Sequence, residues 1–190
     1  MYKRQGIGVV AFRDPKGIRP LAIGKNNGSF MVASESSAIS SLGYKLLGDI
    51  APGQAIIIDS AGALDKKRLV RNVVHQPCIF EYVYFSRPDS TLDEISVHKS
   101  RLRMGDFLGD KILNEYKNIE VDVVIPVPDT SRTSAMQVAH KLGVKYREGF
   151  MKNRYIGRTF IMPGQNTRKK SVAQKLNPIE IEFNLSLIHI

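Results

Sequence analysis

The stretch from Val121 to Gly143 constrains the fold of this chain more than any other part of the sequence. It opens with an apolar, β-branched run, Val121 to Val127, which predicts a strand buried on both faces as in a parallel sheet. Pro126 and Pro128 end that strand, because proline cannot donate to a sheet ladder. Apolar residues then recur at helical spacing, at Ala135, Val138, Ala139 and Leu142. The pattern predicts a strand–turn–helix unit whose helix ends at Gly143.

Three small polar residues, Asp129, Thr130 and Ser131, lie where this helix is predicted to begin. Each can cap a helix N-terminus. Unpaired amides and about half a unit of positive charge gather at such an end, which suits an anion or a phosphate-bound metal. An ordinary turn capped by Asp129 or Ser131 explains the same residues, and on this stretch alone it is the favoured interpretation.

Composition narrows the class of protein. The 190 residues suffice for one or two domains, and 43% of them are hydrophobic. No apolar run approaches the ~20 residues that cross a bilayer, and the first residues lack the apolar segment of a secretory signal. The single cysteine, Cys78, can form neither an internal disulfide nor a complete metal site. We therefore expect a cytoplasmic protein that does not associate with membranes.

The net charge of +10 is concentrated in one segment. The stretch from Lys145 to Lys175 carries nine Lys or Arg residues and one acid, Glu148. A local excess of positive charge indicates a polyanionic ligand, either a nucleic acid or a polyphosphate metabolite. Interleaved Tyr155 and Phe160 favour a nucleic-acid-binding module. Against that alternative, the segment lacks the repeated aromatic platform of single-strand binders.

The first part of the chain predicts an antiparallel layer with a short helix. Strands are expected at Ile7–Phe12, Arg19–Gly24, Phe30–Ala33 and Ala55–Asp59, separated by residues that favour turns. Ser34 to Leu42 is expected to form the helix, with Ser34 as its cap. The pattern changes near Val73, which places a domain boundary at about residues 62–76.

The second part predicts alternating strands and helices. Cys78–Phe85 alternates well enough to predict a strand. Ser96–Tyr116 predicts the longest helix, with a broad apolar face of Met104, Phe107, Leu108, Ile112, Leu113 and Tyr116. Met151–Gln174 shows no sustained period and predicts a long loop, which in a compact domain is usually functional or disordered.

Five segments of the chain are distinctive, namely GIRPLAIGK, FMVASES, CIFEYVYFSRPDS, VVIPVPDTS and KNRYIGRTFIMPGQ. In this order they closely resemble the glutamine phosphoribosylpyrophosphate amidotransferase family, from Gly6 to about Phe183. The resemblance implies an enzyme that makes 5-phosphoribosylamine from phosphoribosyl pyrophosphate (PRPP), glutamine and water. Ammonia from glutamine displaces pyrophosphate, in the first step of purine synthesis.

The resemblance also implies the fold class, a combination of α/β and α+β. Residues 6–70 would form the C-terminal portion of an N-terminal-nucleophile glutaminase layer. Residues 71–183 would form the first half of a type I phosphoribosyltransferase parallel α/β sheet. Residues 1–5 and 184–190 do not fit the family and are expected to be non-native ends.

The resemblance further implies that parts of the family enzyme lie outside this chain. The family nucleophile is a processed terminal cysteine, whereas residue 1 here is methionine. A Val-Asp-Asp segment that holds the PRPP ribose and magnesium would follow Phe183, where this chain reads NLSLIHI. We expect an internal fragment that is inactive alone and binds metal weakly. An unpaired apolar strand should also make it prone to aggregation.

The site residues follow from positions that match the family. Residues 152–176 match its flexible loop, in which cations stabilise the leaving pyrophosphate in a closed, water-poor site. Catalytic roles are implied for Arg158 and Lys175, and PRPP binding for Asp129, Ser131, Lys152, Arg154 and Arg158. Tyr84, Tyr155 and Ile161 match the walls of an ammonia channel. Thr130 matches a ligand of PRPP-bound Mg²⁺, although its hydroxyl could simply cap the helix.

Five other side chains receive structural roles. Tyr82 and Phe85 are expected in the core, and Lys169 and Lys170 on a solvated face. Cys78 matches an iron–sulfur ligand of some relatives, but a cluster needs about four thiolates. We therefore expect a small buried hydrophobic residue there and no cluster.

The implied small-molecule partners are PRPP and glutamine, with purine nucleotides as inhibitors. The intact enzyme is expected to be a homo-oligomer that binds no nucleic acid. A PRPP-binding protein without a glutaminase is a further alternative, which requires a gene that begins near Gly6.

Overall fold

The computed structural model of the chain describes residues 2–4, 8–156 and 163–183, with side chains from residue 8 onwards. The chain forms two compact units, divided between Ser100 and Arg101. The boundary predicted at residues 62–76 is of a different kind, because it divides two domains of the family enzyme. It therefore stays a prediction. Within the described residues, every helix is too short or too polar to cross a bilayer.

The first unit is built from antiparallel sheets, which confirms the predicted layer. Its strands in chain order are β1 (Tyr2–Arg4), β2 (Gly8–Phe12), β3 (Ala22–Asn26), β4 (Ser29–Ala33), β5 (Lys45–Asp49), β6 (Gln54–Asp59) and β7 (Leu64–Arg68). One sheet has the order β1-β2-β6-β7 and the other the order β4-β3-β5. Strands β1, β5 and β7 were not predicted. The sequence of β7, LDKKR, is mostly charged because it forms a sheet edge, where charges discourage pairing with other chains.

The core of this unit lies between the two sheets. Ala11 and Ile56 of the first sheet cluster with Ile23 of the second and with Ile50, which directly follows β5. The short helix α1 (Ser36–Ser41) adds Ile39, which is fully buried. Its N-cap lies one residue later than the predicted cap, Ser34. Glu35 takes the N-cap position, and its side chain does not cap the helix.

The carboxylate of Glu35 instead binds a later segment of the chain. Its Oε2 accepts hydrogen bonds from the Arg87 backbone N–H at 2.8 Å and from the Ser90 hydroxyl at 3.0 Å. The hydroxyl of Ser36 accepts a third hydrogen bond, from the Thr91 N–H. Two of the distinctive segments, FMVASES and CIFEYVYFSRPDS, are therefore held together by polar contacts.

The predicted strand at Cys78–Phe85 is wrong, because residues Glu81–Phe85 form a π-helix. Neighbouring Glu81 and Tyr82 are both buried, whereas a strand with one buried face would expose one of the two. The helical turn brings Ser86 back to Glu81, so that its N–H and its hydroxyl both donate to that residue. Glu81 Oε1 also lies 2.9 Å from Arg19 Nη1, although the contact lacks hydrogen-bond geometry.

The turn after β2 carries a buried ion pair. Both Nη atoms of Arg13 donate to the carboxylate of Asp93, at 2.6 and 2.8 Å. Arg13 also donates to the carbonyls of Gly17, Arg19 and Ile50, so it ties the turn to the following strands. Arg13 is only 4% exposed, so its buried guanidinium needs these acceptors.

Two further strands lie in the first unit, and the elements from α2 onwards chiefly form the second unit. The hairpin strands β8 (Thr91–Leu92) and β9 (Ile95–Ser96) lead into α2 (Val97–Glu115), which confirms the longest predicted helix. Then follow β10 (Val123–Val124), α3 (Arg132–Leu142), β11 (Lys145–Tyr146), β12 (Phe150–Lys152), α4 (Gln165–Lys175), β13 (Leu176–Pro178) and a 3₁₀ turn at Glu180–Glu182. Strands β10 and β11 pair in parallel, whereas β12 and β13 pair antiparallel.

Helix α2 packs through a different face from the one predicted. Its Phe107 is 73% exposed, and Leu108, Leu113 and Tyr116 are also exposed. Gly105 and Gly109 are buried instead, against Ser134, Gln137 and Lys141 of α3. Small residues four positions apart let two helix backbones approach closely, a signal that a count of apolar residues misses.

The apolar run Val121–Val127 forms a strand over two residues, and its predicted burial on both faces is wrong. Pro126 is buried, Asp122 and Val127 are exposed, and the other four residues are half-buried. Together with α2 and α3 the run lines an apolar groove of about 480 Å³. The predicted helix end is confirmed, since Gly143 follows α3 with φ 69°.

Regular structure also occurs where a long loop was predicted. Residues 151–152 belong to β12, and Gln165–Lys175 form α4. The sequence of α4, QNTRKKSVAQK, offers few apolar residues, and Ser171 is its one buried residue. Helix periodicity was absent from the sequence because almost no core-facing stripe is needed here.

Candidate functional site

A polar cleft of about 680 Å³ follows the turn after β10. It is lined by Asp129, Arg132, Met151, Lys152, Asn153, Arg154 and Tyr155. The strand–turn–helix supplies the first two residues, and the end of β12 with the residues after it supplies the rest. Three cations and one carboxylate thus meet at one place, which suits an anionic ligand.

An ion pair links the two sides of the cleft. Lys152 Nζ donates to Asp129 Oδ2 at 2.7 Å. This hydrogen bond lowers the pKa of Asp129, and the charges of Lys152, Arg132 and Arg154 act in the same direction. The carboxylate is therefore ionised and holds Lys152 at the cleft.

Arg132 takes part in a second set of polar contacts. Its Nε lies 3.1 Å from Glu148 Oε1, and its Nη1 lies 3.7 Å from Asp129 Oδ1. The Tyr146 hydroxyl donates to the same Glu148 oxygen at 2.7 Å. Burial and this hydrogen bond raise the pKa of Tyr146 to about 12. The phenol therefore stays protonated and acts as a donor.

The N-terminus of α3 opens beside these residues. Ser131 occupies the N-cap position, but no side-chain hydrogen bond caps the helix there. The Ser131 hydroxyl donates instead to the Val127 carbonyl. The predicted side-chain capping is thus wrong for Ser131.

The predicted magnesium ligand, Thr130, lies in the same turn and is half-buried. Within the described residues, no three His, Cys, Asp or Glu side chains are grouped to hold a metal ion. Magnesium that arrives with a polyphosphate takes most of its ligands from the phosphates and water. The single hydroxyl of Thr130 is compatible with that arrangement.

The structure brings together several predicted site residues. Asp129, Lys152, Arg154 and Tyr155 line the cleft, and Tyr155 is 99% exposed. Lys175 ends α4, and its carbonyl accepts a hydrogen bond from the Asn153 N–H at 2.7 Å. Arg158 and Ile161 lie outside the described residues.

Residues outside the cleft give a mixed result. Tyr84 belongs to the first unit, where its exposed ring contacts Phe85 edge-on. Tyr82 is buried as predicted, but Phe85 is 44% exposed. The π-helix turns that ring outward, beneath the guanidinium of Arg19. Cys78 is half-buried, not fully buried, and forms no disulfide. Lys169 and Lys170 are exposed, as predicted for a solvated face.

Arg132, Tyr146 and Glu148 were not among the predicted site residues. One signal was present in the sequence, because Glu148 is the single acid within the basic stretch from Lys145 to Lys175. Its contact with Arg132 joins residues 16 positions apart, so spacing alone could not reveal it.

The chain is similar in sequence to several known enzymes. No family model matches the chain. The chain is 57% identical to the amidophosphoribosyltransferase of Pseudomonas aeruginosa over 182 residues, and 54% identical to that of Escherichia coli over 183 residues. The enzyme of Saccharomyces cerevisiae is 50% identical over 186 residues. Each match covers 94% of this chain and 36% of the relative.

Two solved structures superpose on 90% of the chain with a TM-score of 0.74 and 39% identity. One is the glutamine PRPP amidotransferase of B. subtilis complexed with ADP and GMP, of which 36% is covered. The other is described as the allosteric regulatory enzyme of purine biosynthesis, of which 35% is covered.

These likenesses show that the mixed α/β chain is a homologue of glutamine PRPP amidotransferases. The curated relatives carry the name amidophosphoribosyltransferase, so the resemblance inferred from the motifs is confirmed. The chain spans about 36% of the length of these relatives.

Proposed function

We propose that this chain forms part of an amidophosphoribosyltransferase, which makes 5-phosphoribosylamine from PRPP, glutamine and water and releases pyrophosphate and glutamate. The observation that carries the proposal is the cationic cleft around Lys152, in a chain 50–57% identical to enzymes of that name. The reaction would be the first step of purine synthesis.

The cleft residues are suited to hold a diphosphate. Lys152, Arg154 and Arg132 offer charged donors, each worth ~1.5–3 kcal/mol in a hydrogen bond to an anion. Asp129 keeps Lys152 in place at 2.7 Å, and the uncapped amides of α3 add a partial positive charge nearby. Ser131 is assigned to the same substrate.

The chemistry needs stabilisation of the leaving pyrophosphate. As ammonia attacks C1 of the ribose, negative charge builds on the departing oxygen. Cations in a site closed to water stabilise that charge most effectively. Arg158 and Lys175 are assigned this role, and the backbone contact between Lys175 and Asn153 supports the assignment of Lys175.

Magnesium bound to PRPP would offset the diphosphate charge, as a Lewis acid does for a transferring phosphoryl group. Thr130 would supply the protein hydroxyl. An iron–sulfur cluster needs about four thiolates, so the one cysteine of this sequence, Cys78, cannot hold one by itself.

The ammonia has to reach the ribose without meeting bulk protons. Tyr84, Tyr155 and Ile161 are assigned to the walls of an apolar channel, because protonated ammonia is not a nucleophile. Residues 6–70 are assigned to the glutaminase layer, and residues 71–183 to the parallel phosphoribosyltransferase sheet. We further propose that purine nucleotides inhibit the enzyme, that it forms a homo-oligomer and that it is cytoplasmic.

Assay of the full gene product tests this function. We expect pyrophosphate release from PRPP that depends on glutamine or ammonia. Arg158→Ala should lower synthesis roughly tenfold to a hundredfold, for the loss of one charge-assisted hydrogen bond. Glutamine hydrolysis without synthesis should be nearly unchanged.

Two comparisons sharpen the result. Lys169→Ala, on the exposed face of α4, should leave synthesis unaffected. Full synthesis by Arg158→Ala would contradict the role given to the loop. Absence of any PRPP turnover in the wild-type product would reject the function itself. The 190-residue chain alone is expected to be inactive.

A further inference from the structure

The charge of Glu148 has the wrong sign for a site that binds a polyanion. It is the one acid among nine cations in the stretch from Lys145 to Lys175, yet its carboxylate contacts the cleft residue Arg132. A negative charge beside a site for a polyanion weakens binding unless the carboxylate has another task.

The local structure directs this carboxylate toward Arg132. Strand β11 ends at Tyr146, whose hydroxyl meets the carboxylate of Glu148 two residues further on. The intervening Arg147 pairs with a different acid, Glu182, at 3.1 Å. Gly149 then fixes the backbone. A Cβ at that position would come within 2.6 Å of Ile125 and 2.8 Å of Phe183. The position of Glu148 is thus set by packing.

The contact between the two side chains is incomplete. Arg132 Nε and Glu148 Oε2 are both buried, and neither has a hydrogen-bond partner in the described residues. The Nε atom lies 3.1 Å from Oε1, but its N–H is not well aligned with that oxygen. A small rotation of the guanidinium would give a two-bond pair with the carboxylate.

We propose that Glu148, held by the Tyr146 hydroxyl, is a positioning residue that fixes the Arg132 guanidinium toward the diphosphate of PRPP. The proposal rests on the function proposed above. A guanidinium presents five donors in a rigid fork, so one edge can bind Glu148 while another faces a phosphate. Tyr146 stabilises the carboxylate oxygen that Arg132 approaches.

The sign of one substitution tests this proposal. If Glu148 acted only through its charge, Glu148→Gln would strengthen PRPP binding. If it positions Arg132, the same change weakens binding, by about threefold to tenfold in Kd, since a charge-assisted contact is lost. Titration calorimetry of the full gene product with PRPP and Mg²⁺ measures the difference.

A double-mutant cycle separates positioning from a general structural role. Arg132→Ala should weaken PRPP binding roughly tenfold to a hundredfold. In that background Glu148→Gln should weaken binding no further, because its effect passes through Arg132. Tyr146→Phe removes one hydroxyl without changing shape and should weaken binding about twofold to fivefold, the share of one hydrogen bond.

Glu182→Gln is the matched control, a carboxylate paired with an arginine on the opposite side, and should leave Kd unchanged. The inference is overturned if Glu148→Gln binds PRPP as tightly as the wild type or more tightly. It is also overturned if Glu148→Gln weakens binding just as much in the Arg132→Ala background. Either result leaves the proposed function standing. A wild-type protein that binds no PRPP would overturn the proposed function together with the inference.

Discussion

The backbones of Gly105 in α2 and Ser134 in α3 lie so close that a Cβ on Gly105 would come within 2.5 Å of the Ser134 carbonyl oxygen. Near this contact the Ser134 hydroxyl donates to the Arg101 carbonyl at 2.9 Å, and Gln137 donates to Asp106 at 2.8 Å. Helix α3 carries Arg132 at its first turn. The packing of α2 against α3 therefore fixes the helix on which the cleft depends.

We predict that Gly105→Ala destabilises the protein by about 1–3 kcal/mol, because overpacking forces two backbones apart. In an exposed helical position the same change would stabilise by about 1 kcal/mol. Urea unfolding monitored by circular dichroism measures the difference. Lys111→Ala, at an exposed site of α2, is the control and should change the unfolding free energy by less than about 0.5 kcal/mol.

The ion pair between Arg13 and Asp93 should make stability depend on pH. The hydrogen bond from Arg13 lowers the pKa of Asp93, with further lowering by the charges of Arg13 and His75. A lowered folded-state pKa adds stability that is fully present above the unfolded value of about 3.9 and is lost as pH falls through the folded value. Asp93→Asn should therefore cost about 3 kcal/mol at neutral pH.

This cost should shrink progressively below about pH 4, where wild-type Asp93 becomes protonated too. Unfolding free energies of the two proteins between pH 2 and pH 7 test the prediction. Asp89→Asn offers a comparison, since Arg87 lowers the pKa of Asp89 as well, but both side chains are exposed. A constant difference across the range for Asp93→Asn would show that the pair contributes no such linkage.

Lys152→Gln should raise the KM for PRPP about tenfold, the equivalent of one modest charge-assisted hydrogen bond. The substitution removes a cation and leaves Asp129 without its partner at 2.7 Å, so repulsion of the diphosphate increases. Steady-state kinetics of the full gene product measures the change. Lys169→Gln removes the same charge from exposed α4 and should alter KM little. Equal increases in KM for the two variants would show that Lys152 acts only as part of a general basic surface.

Tyr84→Ala should lower glutamine-dependent synthesis about tenfold while synthesis from added ammonia stays near the wild-type rate. An opened channel wall admits water, and protonation removes the nucleophile before it reaches the ribose. The ratio of the two rates is the measurement. Tyr116→Ala, another exposed tyrosine, should leave the ratio unchanged. A parallel loss of both rates would place Tyr84 outside the channel.

Local signals in the sequence were sufficient for much of the fold. Turn residues and alternation located four strands of the first unit, although their ends moved by up to three residues. Helical spacing with a terminal glycine located α3, and Lys152 and Asp129 were both assigned to the site. The strands and α3 were predicted correctly because each depends on neighbouring residues, whose preferences act over one strand or one turn. The assignment of Lys152 and Asp129 to the site rests on the family resemblance and stays a prediction.

Other features were decided by contacts between distant residues. The buried carboxylate of Glu81 requires Ser86 and Arg19, and together they replace a predicted strand with a π-helix. The face of α2 that carries Gly105 and Gly109 is buried because α3 packs against it.

The sequence by itself determined the family likeness, the strand–turn–helix unit and the concentration of positive charge that indicated a polyanion. Tertiary structure alone decided which cations meet at the cleft and which carboxylates hold them. Lys152 reaches Asp129 across 23 positions, and Arg132 reaches Glu148 across 16. The physical reason is that charges interact through space, at distances that the folded backbone sets and that sequence separation does not record.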